Sequence, residues 1–265
     1  MRVRWPGRGA SEGGDTATAD TGPDAPPLSR AGQLVVNDLK AFYGPAQALH
    51  GVDLTLEPGE ALGVVGNNGA GKTTLLRTIA GLHRKASGAV VYDGHPILGR
   101  PPDEVARLGI GLVRDGGRVF ENLTIKEHLL LAEHLGRKRG HDSRDVEELL
   151  AMFPLLSARG GDTKAGYLSG GQRQVLCLAM AVGAGATCLL LDEPSAGLAE
   201  STAEEVFRII RDLADQGMTL FIVEQDVRWV QTLADRIADL EMGRICGEMS
   251  TAPRGNGPDR NAAVP

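Results

Sequence analysis

The sequence predicts an α/β fold built on a parallel sheet, with a helical subdomain set into it. Three observations carry that expectation. Short apolar runs alternate with helical patterns from Leu34 onward, as strands buried on both faces and their crossover helices do. One run, "EALGVV", leads straight into a glycine-rich loop and then a helix, the strand–loop–helix order of a phosphate-binding unit. The stretch from Thr124 to Val182 reads as mostly helical and is too long for a single crossover, so it needs a subdomain of its own.

In chain order, Leu34–Ala41 and Leu49–Leu56 read as strands joined by the turn "YGPAQ". After "EALGVV" comes a helix over Thr73–Leu82, then strands at "GAVVYDG" and "GIGLV". The helical stretch follows, then the strand "CLLL", a helix over Thr202–Ala214, the strand "TLFIV" and a helix over Val227–Ala234. A strand pair around "IADLEMGRI" closes the folded unit. Val175 to Leu191 carries no charge, but Gly183 and Gly185 interrupt it and Asp192-Glu193 follow at once. It reads as a buried helix, a turn and a buried strand rather than a membrane span. Residues 1–31 and 251–265 are rich in Gly, Pro and Ala without apolar period and are expected to be disordered, leaving 32–250 as the folded domain with its helical subdomain at about 115–182.

Bulk composition excludes several classes. The 265 residues suffice for one large domain, or a domain with a subdomain, and 42% hydrophobic content suffices for its core. A net charge of −6 gives the chain as a whole no footprint for nucleic acid. Cys177, Cys188 and Cys246 have no metal-type spacing; two of them sit in apolar runs and are expected in the core, which suits a reducing compartment. His128 and His134 are six apart, not the i, i+4 spacing of a metal pair, and are expected at the surface. "MRVRWPGRGASEGG" has arginines but no apolar segment behind them, so no signal peptide is expected, and the expected location is cytoplasmic.

The chemistry concentrates in two segments. Gly66-Asn67-Asn68-Gly69-Ala70-Gly71-Lys72-Thr73, followed by Thr74, fits G-x-x-x-x-G-K-[ST] at every position and has a strand before it and a helix after it. Glycines let the backbone wrap a phosphate, and the loop N–H groups and helix dipole face the anion. Lys72 is placed to neutralise β- and γ-phosphate oxygens, and the Thr73 hydroxyl to ligate Mg²⁺. In "CLLLDEPSAGL" an apolar strand ends in Asp192, suited to hold Mg²⁺ through water, and Glu193, suited to act as general base on the attacking water. Side chains alternate along a strand, so Glu193 need not share the metal of Asp192.

A third segment has two readings. Ser169-Gly170-Gly171-Gln172 opens a helix, and on its own Ser169 is a helix cap and the glycines a hinge. The order phosphate loop, "LSGGQ", apolar strand with "DEP" resembles an ABC-type ATPase domain over nearly all of residues 34–250. The resemblance implies a P-loop NTPase (RecA-like) core with an antiparallel β subdomain and a helical subdomain, and it implies ATP as ligand. It also implies a head-to-tail dimer with a second ATP-binding subunit, in which Ser169, Gly170, Gly171 and Gln172 complete the partner's site. It implies Tyr43 stacked on adenine, Asp115 as the residue at the position that senses Mg²⁺, and Gln225 in place of the histidine that contacts the γ-phosphate.

Stretches such as "PPDEVARLGIGLV", "GRVFENLTIKEHL", "PSAGLAE" and "TLFIVEQ" are similar to the ATP-binding subunits of branched-chain amino acid importers. That implies two membrane-spanning permease subunits, an extracytoplasmic solute-binding protein, and a peripheral position on the inner face of the membrane. The sequence departs from that subgroup in having Asp115 in "VRDGG" where Glu is frequent, Arg114 for a proline and Met180 for an arginine, and a disordered stretch is expected in place of the subgroup's C-terminal helical tail. Asp115 is one methylene short and reaches a metal through water. Two alternatives stand beside the importer ATPase for branched-chain or other hydrophobic amino acids: a weakly hydrolysing regulatory module and the ATPase of a urea or amide importer.

Overall fold

The computed structural model describes residues 32–141 and 143–251; the expected disorder of 1–31 and 251–265 lies outside them except at Thr251, whose N–H donates to the Asp235 carbonyl at 3.0 Å. Two sheets organise the chain. β1 (Leu34–Tyr43) and β2 (Ala46–Leu56) form a hairpin, and β3 (Ala61–Val65) leads through the glycine loop into α1 (Lys72–Ile79). β4 (Ala86–Tyr92), β5 (His95–Pro96), α2 (Pro102–Arg107) and β6 (Ile110–Val113) follow. The helical stretch is α3 (Ile125–Arg139), α4 (Val146–Met152), α5 (Pro154–Ser157) and α6 (Gly170–Gly183). Then come β7 (Cys188–Asp192), α7 (Glu200–Asp215), β8 (Thr219–Glu224), α8 (Val227–Gln231), β9 (Arg236–Glu241) and β10 (Arg244–Ser250). The first sheet is antiparallel in the order β2-β1-β4-β5. The second runs β10-β9-β3-β8-β7-β6 and is parallel except for the β9–β10 pair.

The parallel sheet separates two cores, and the strand period of two assigns residues to each. Ala61 and Val65, Leu189 and Leu191, Leu220 and Ile222 face the helices α3 to α7. Leu62 and Val64, Cys188 and Leu190, Phe221 and Val223 face α1 and the antiparallel sheet. This is why these strands read as unbroken apolar runs rather than alternating ones. The parallel strands therefore end together, with Val65 beside Glu224 and Asp192 beside Val223. The carboxyl ends of parallel strands are where such folds bind ligands.

The structure corrects one expectation. His128 is fully buried, not at the surface, whereas His134 is exposed. Its Nδ1 donates to the Thr124 carbonyl at 2.7 Å and its Nε2 accepts the Phe120 N–H at 3.0 Å. A carbonyl can only accept and an amide N–H can only donate, so the ring is neutral with its proton on Nδ1. Ile125, His128, Leu129 and Ala132 share the buried face of α3 at helical spacing, a period that overrides the polarity of the ring. Cys188 is buried, as expected, whereas Cys177 is only half-buried at the edge of the core, and burial pushes their thiols up to about 12 and about 11. β5 and α2 were not anticipated: one is a two-residue strand containing proline, the other a six-residue helix begun by Pro102.

The start of α6 packs against the start of α7. A Cβ on Gly171 would lie 2.2 Å from Thr202 Cγ2, whereas one on Gly170 would meet Leu198 Cδ2 at 3.1 Å. Both substitutions to alanine gain similar helix propensity, about 1 kcal/mol. Only Gly171→Ala must turn the Thr202 side chain out of its rotamer or move the two helices, a cost of about 1–3 kcal/mol. Thermal unfolding should therefore give a Tm several degrees lower for Gly171→Ala than for Gly170→Ala, and equal values would show that α6 and α7 yield freely.

Candidate functional site

The site starts from the loop between β3 and α1. Gly71 has φ +111°, and a Cβ there would stand 2.9 Å from Leu49 Cδ2 and 3.1 Å from the Ala48 carbonyl oxygen. Only glycine combines that dihedral with that approach. α1 has no side-chain cap and no acidic residue in its first turn, so its N-terminal end presents backbone N–H groups and positive partial charge. Asn67, Asn68 and Gly69 are exposed at the tip of the loop, and Ala70 anchors it in the core.

Lys72 is only 4% exposed, and its Nζ donates to the carbonyls of Gly66 (2.8 Å) and Asn67 (3.3 Å). It also lies 3.1 Å from Glu193 Oε1. One residue on, the Thr73 hydroxyl donates to Asp192 Oδ1 at 3.1 Å. Two separate segments of sequence, 66–74 and 192–193, thus meet through two adjacent contacts. Burial pushes the Asp192 carboxyl above the usual range; the Thr73 hydrogen bond opposes this, while the charges of Asp115 and Glu193 add to it.

Strand geometry stops at Asp192. Glu193 has φ +46°, a left-handed conformation that costs a non-glycine residue about 1–2 kcal/mol, and its N–H donates to the Val223 carbonyl at 3.0 Å. The two carboxylates are separated by this turn as well as by strand alternation. Among the described residues no group of three or more His, Cys, Asp or Glu is gathered as a metal cage, so Asp115, Asp192 and Glu193 do not form one. Asp115 is exposed in the loop after β6 and acts on Asp192 through its field. Thr73 and Asp192 offer hard oxygen donors side by side, which fits Mg²⁺ because that ion takes few protein ligands and keeps water or phosphate in the rest of its shell.

Gln225 lines two clefts. One, of about 650 Å³, also holds Glu193, Ser195, Glu224 and Asp226. The other, of about 200 Å³, also holds Gly66, Asn67 and Asp239. Gln225 therefore stands between the phosphate loop and the segment after β7. Tyr43 ends β1, half-exposed, with its hydroxyl 3.5 Å from Thr74 Oγ1. Its ring centre lies 4.5 Å from that of His83, tilted by 39°. Sequence reading missed His83, because nothing local links the end of β1 to the residues after α1.

Ser169 caps α6. Its Oγ accepts the Gln172 N–H at 3.3 Å, and Gln172 Oε1 accepts the Ser169 N–H at 3.0 Å. This reciprocal box is the helix cap expected from the residues alone. Ser169 is exposed, and among the described residues its hydrogen bonds stay within the cap and do not reach the chain's own phosphate loop.

The model of the family described as "ABC transporter" matches residues 49–196. The chain is 39% identical over 212 residues, 80% of its length and 90% of the relative's, to the high-affinity branched-chain amino acid transport ATP-binding protein BraG of Pseudomonas aeruginosa. It is 38% identical over 208 residues, 78% of its length and 87% of the relative's, to a probable branched-chain amino acid transport ATP-binding protein, LivF, of Archaeoglobus fulgidus. Among solved structures it is similar to the dimeric post-hydrolysis state of the ATP-binding cassette MJ0796 with ADP and Pi. There the TM-score is 0.69 and the identity 25%, covering 83% of this chain and 99% of that one.

Proposed function

The chain belongs to the ABC transporter family of ATP-binding subunits, and from that premise we propose that its ATP hydrolysis drives an importer of branched-chain amino acids. One observation supports the hydrolytic assignment most: Lys72 meets Glu193, and Thr73 meets Asp192, at the carboxyl end of the parallel sheet. The solute class rests on the two branched-chain relatives.

In this reading the N–H groups at the start of α1 and the Lys72 ammonium hold the β- and γ-phosphates. Tyr43 carries the adenine. Thr73 and Asp192 hold Mg²⁺, with Asp115 acting through water. Bound Mg²⁺ supplies charge neutralisation on the phosphate oxygens. Glu193 takes the proton of the attacking water, and Gln225 donates to the γ-phosphate without titrating. Before nucleotide arrives, Lys72 compensates Glu193; phosphate oxygens draw the ammonium to themselves and leave the carboxylate free to accept a proton. Ser169, Gly170 and Gly171 face the γ-phosphate of a second ATP-binding subunit. No helix among the described residues is long and apolar enough to cross a membrane. The chain reaches the membrane through its permease subunits, and an extracytoplasmic binding protein delivers the solute.

The test is phosphate release by the whole transporter in vesicles. Leucine-loaded binding protein should raise it severalfold over the unloaded protein. ATP hydrolysis that ignores every branched-chain amino acid but responds to another solute would reject the solute class.

A further inference from the structure

We propose that Glu224 is a positioning residue for hydrolysis: its buried carboxylate holds the segment carrying Glu193 in register with Gln225. The inference rests on the reading of Glu193 as base and Gln225 as phosphate contact given above. Glu224 is the last residue of β8 and only 2% exposed. It lies beside Val65, the residue before the phosphate loop, while the preceding residue, Val223, pairs with Asp192. One oxygen, Oε1, accepts the Ser195 N–H at 2.9 Å. The other, Oε2, accepts the Gln225 N–H at 3.1 Å. Ser195 stands two residues after Glu193, whose left-handed turn needs something beyond local preference to hold it.

The residue type matters. Two backbone N–H groups from different segments converge on the two oxygens of one side chain. Only a carboxylate accepts at both ends; a glutamine would turn its NH₂ toward one of the donors. The arrangement is also costly. Burial pushes the Glu224 carboxyl above its usual range, and the charge of Glu193 adds to this. Among the described residues the groups that bond it are backbone amides rather than a cation. A buried anion held this way is expensive as a plain structural choice, since an apolar side chain would fill the space at lower cost. Its position between the two functional segments accounts for it, and its side chain lines the same cleft as Glu193 and Gln225.

The experiment compares Glu224→Gln, Glu193→Gln and the double variant in the assembled transporter. Phosphate release, nucleotide affinity and Tm are read for each. Glu224→Gln should lower kcat about 10- to 100-fold, the effect of one lost hydrogen bond to a charged group. ATP affinity should stay within about threefold of the parent, because the phosphate loop is untouched. In the Glu193→Gln background the same change should cost much less, since only the Gln225 contact is left to position. Glu224→Asp keeps the charge but is one methylene short of reaching both amides, and it should show the same selective loss if Glu224→Gln fails to fold. A folded Glu224 variant with wild-type turnover, or one that loses ATP binding together with turnover, overturns the proposal. So does a full additional loss in the Glu193→Gln background. If Glu193→Gln itself hydrolyses normally, the assignment of the base fails instead, and the two failures are told apart in one data set.

Discussion

Glu193→Gln should bind ATP as the parent does and hydrolyse it about 10²- to 10⁴-fold more slowly, the usual consequence of losing a general base. The structure makes this substitution clean. The amide of the variant would keep an oxygen where Glu193 Oε1 now meets Lys72 at 3.1 Å, so the lysine retains a partner and the phosphate loop its shape. The left-handed backbone at this position is unchanged, because the two side chains have the same branching. What disappears is the capacity to take a proton from water. Phosphate release by the assembled transporter and titration with ATP measure the two halves. Turnover at the parental rate would remove Glu193 from the chemistry.

A second large effect tests whether Ser169 and Lys72 of one chain serve different nucleotides. If Ser169 serves the partner's nucleotide, Ser169 and Lys72 of one chain belong to different sites. Ser169→Arg puts a bulky cation where the partner's γ-phosphate docks. Lys72→Ala removes the ammonium that now bonds Gly66, Asn67 and Glu193, and ATP binding at this chain's own loop should weaken about 10- to 100-fold or more. In a transporter with two different ATPase subunits, both changes in this chain damage both sites. Ser169→Arg here with Lys→Ala in the partner damages one site twice and spares the other. The second combination should retain clearly more ATP binding and phosphate release, with each single variant measured to establish that both sites begin competent. Equal residual activity in the two combinations would reduce Ser169 to a cap.

Much of this site is legible in the sequence because its parts are local. The loop from Gly66 to Thr73 is recognisable from eight consecutive residues with a strand before and a helix after, and "CLLLDE" states a buried strand and its acidic end. What was not legible depends on contacts between distant segments. His128 is an ordinary polar residue until α3 docks its face on the core. His83 becomes the neighbour of Tyr43 only when the antiparallel sheet packs over α1. The glycine at 171 reads as a hinge, and its reason is the Thr202 methyl 2.2 Å from where a Cβ would be. Glu224 sits inside "TLFIVEQ", a run whose apolar character says strand and says nothing of what its last carboxylate will hold. The left-handed turn at Glu193 likewise comes from tertiary structure, because no local preference of glutamate favours it.

The cap at Ser169 narrows what evolution or an engineer can place there. The hydroxyl oxygen is already engaged by the Gln172 N–H, but among the described residues its proton has no acceptor. One atom can therefore close its own helix and still offer a hydrogen to an anion arriving from another molecule. Aspartate caps a helix as well as serine does but would repel the phosphate, alanine would leave both duties unfilled, and asparagine would have to present its amide at a greater reach. Threonine alone would keep both the cap and a hydroxyl proton to offer, with an added methyl. If Ser169 faces the partner's nucleotide as proposed, position 169 answers to two demands at once, folding within the chain and chemistry across the dimer, and a substitution ranked only by its effect on the isolated subunit's melting temperature will then be ranked wrongly.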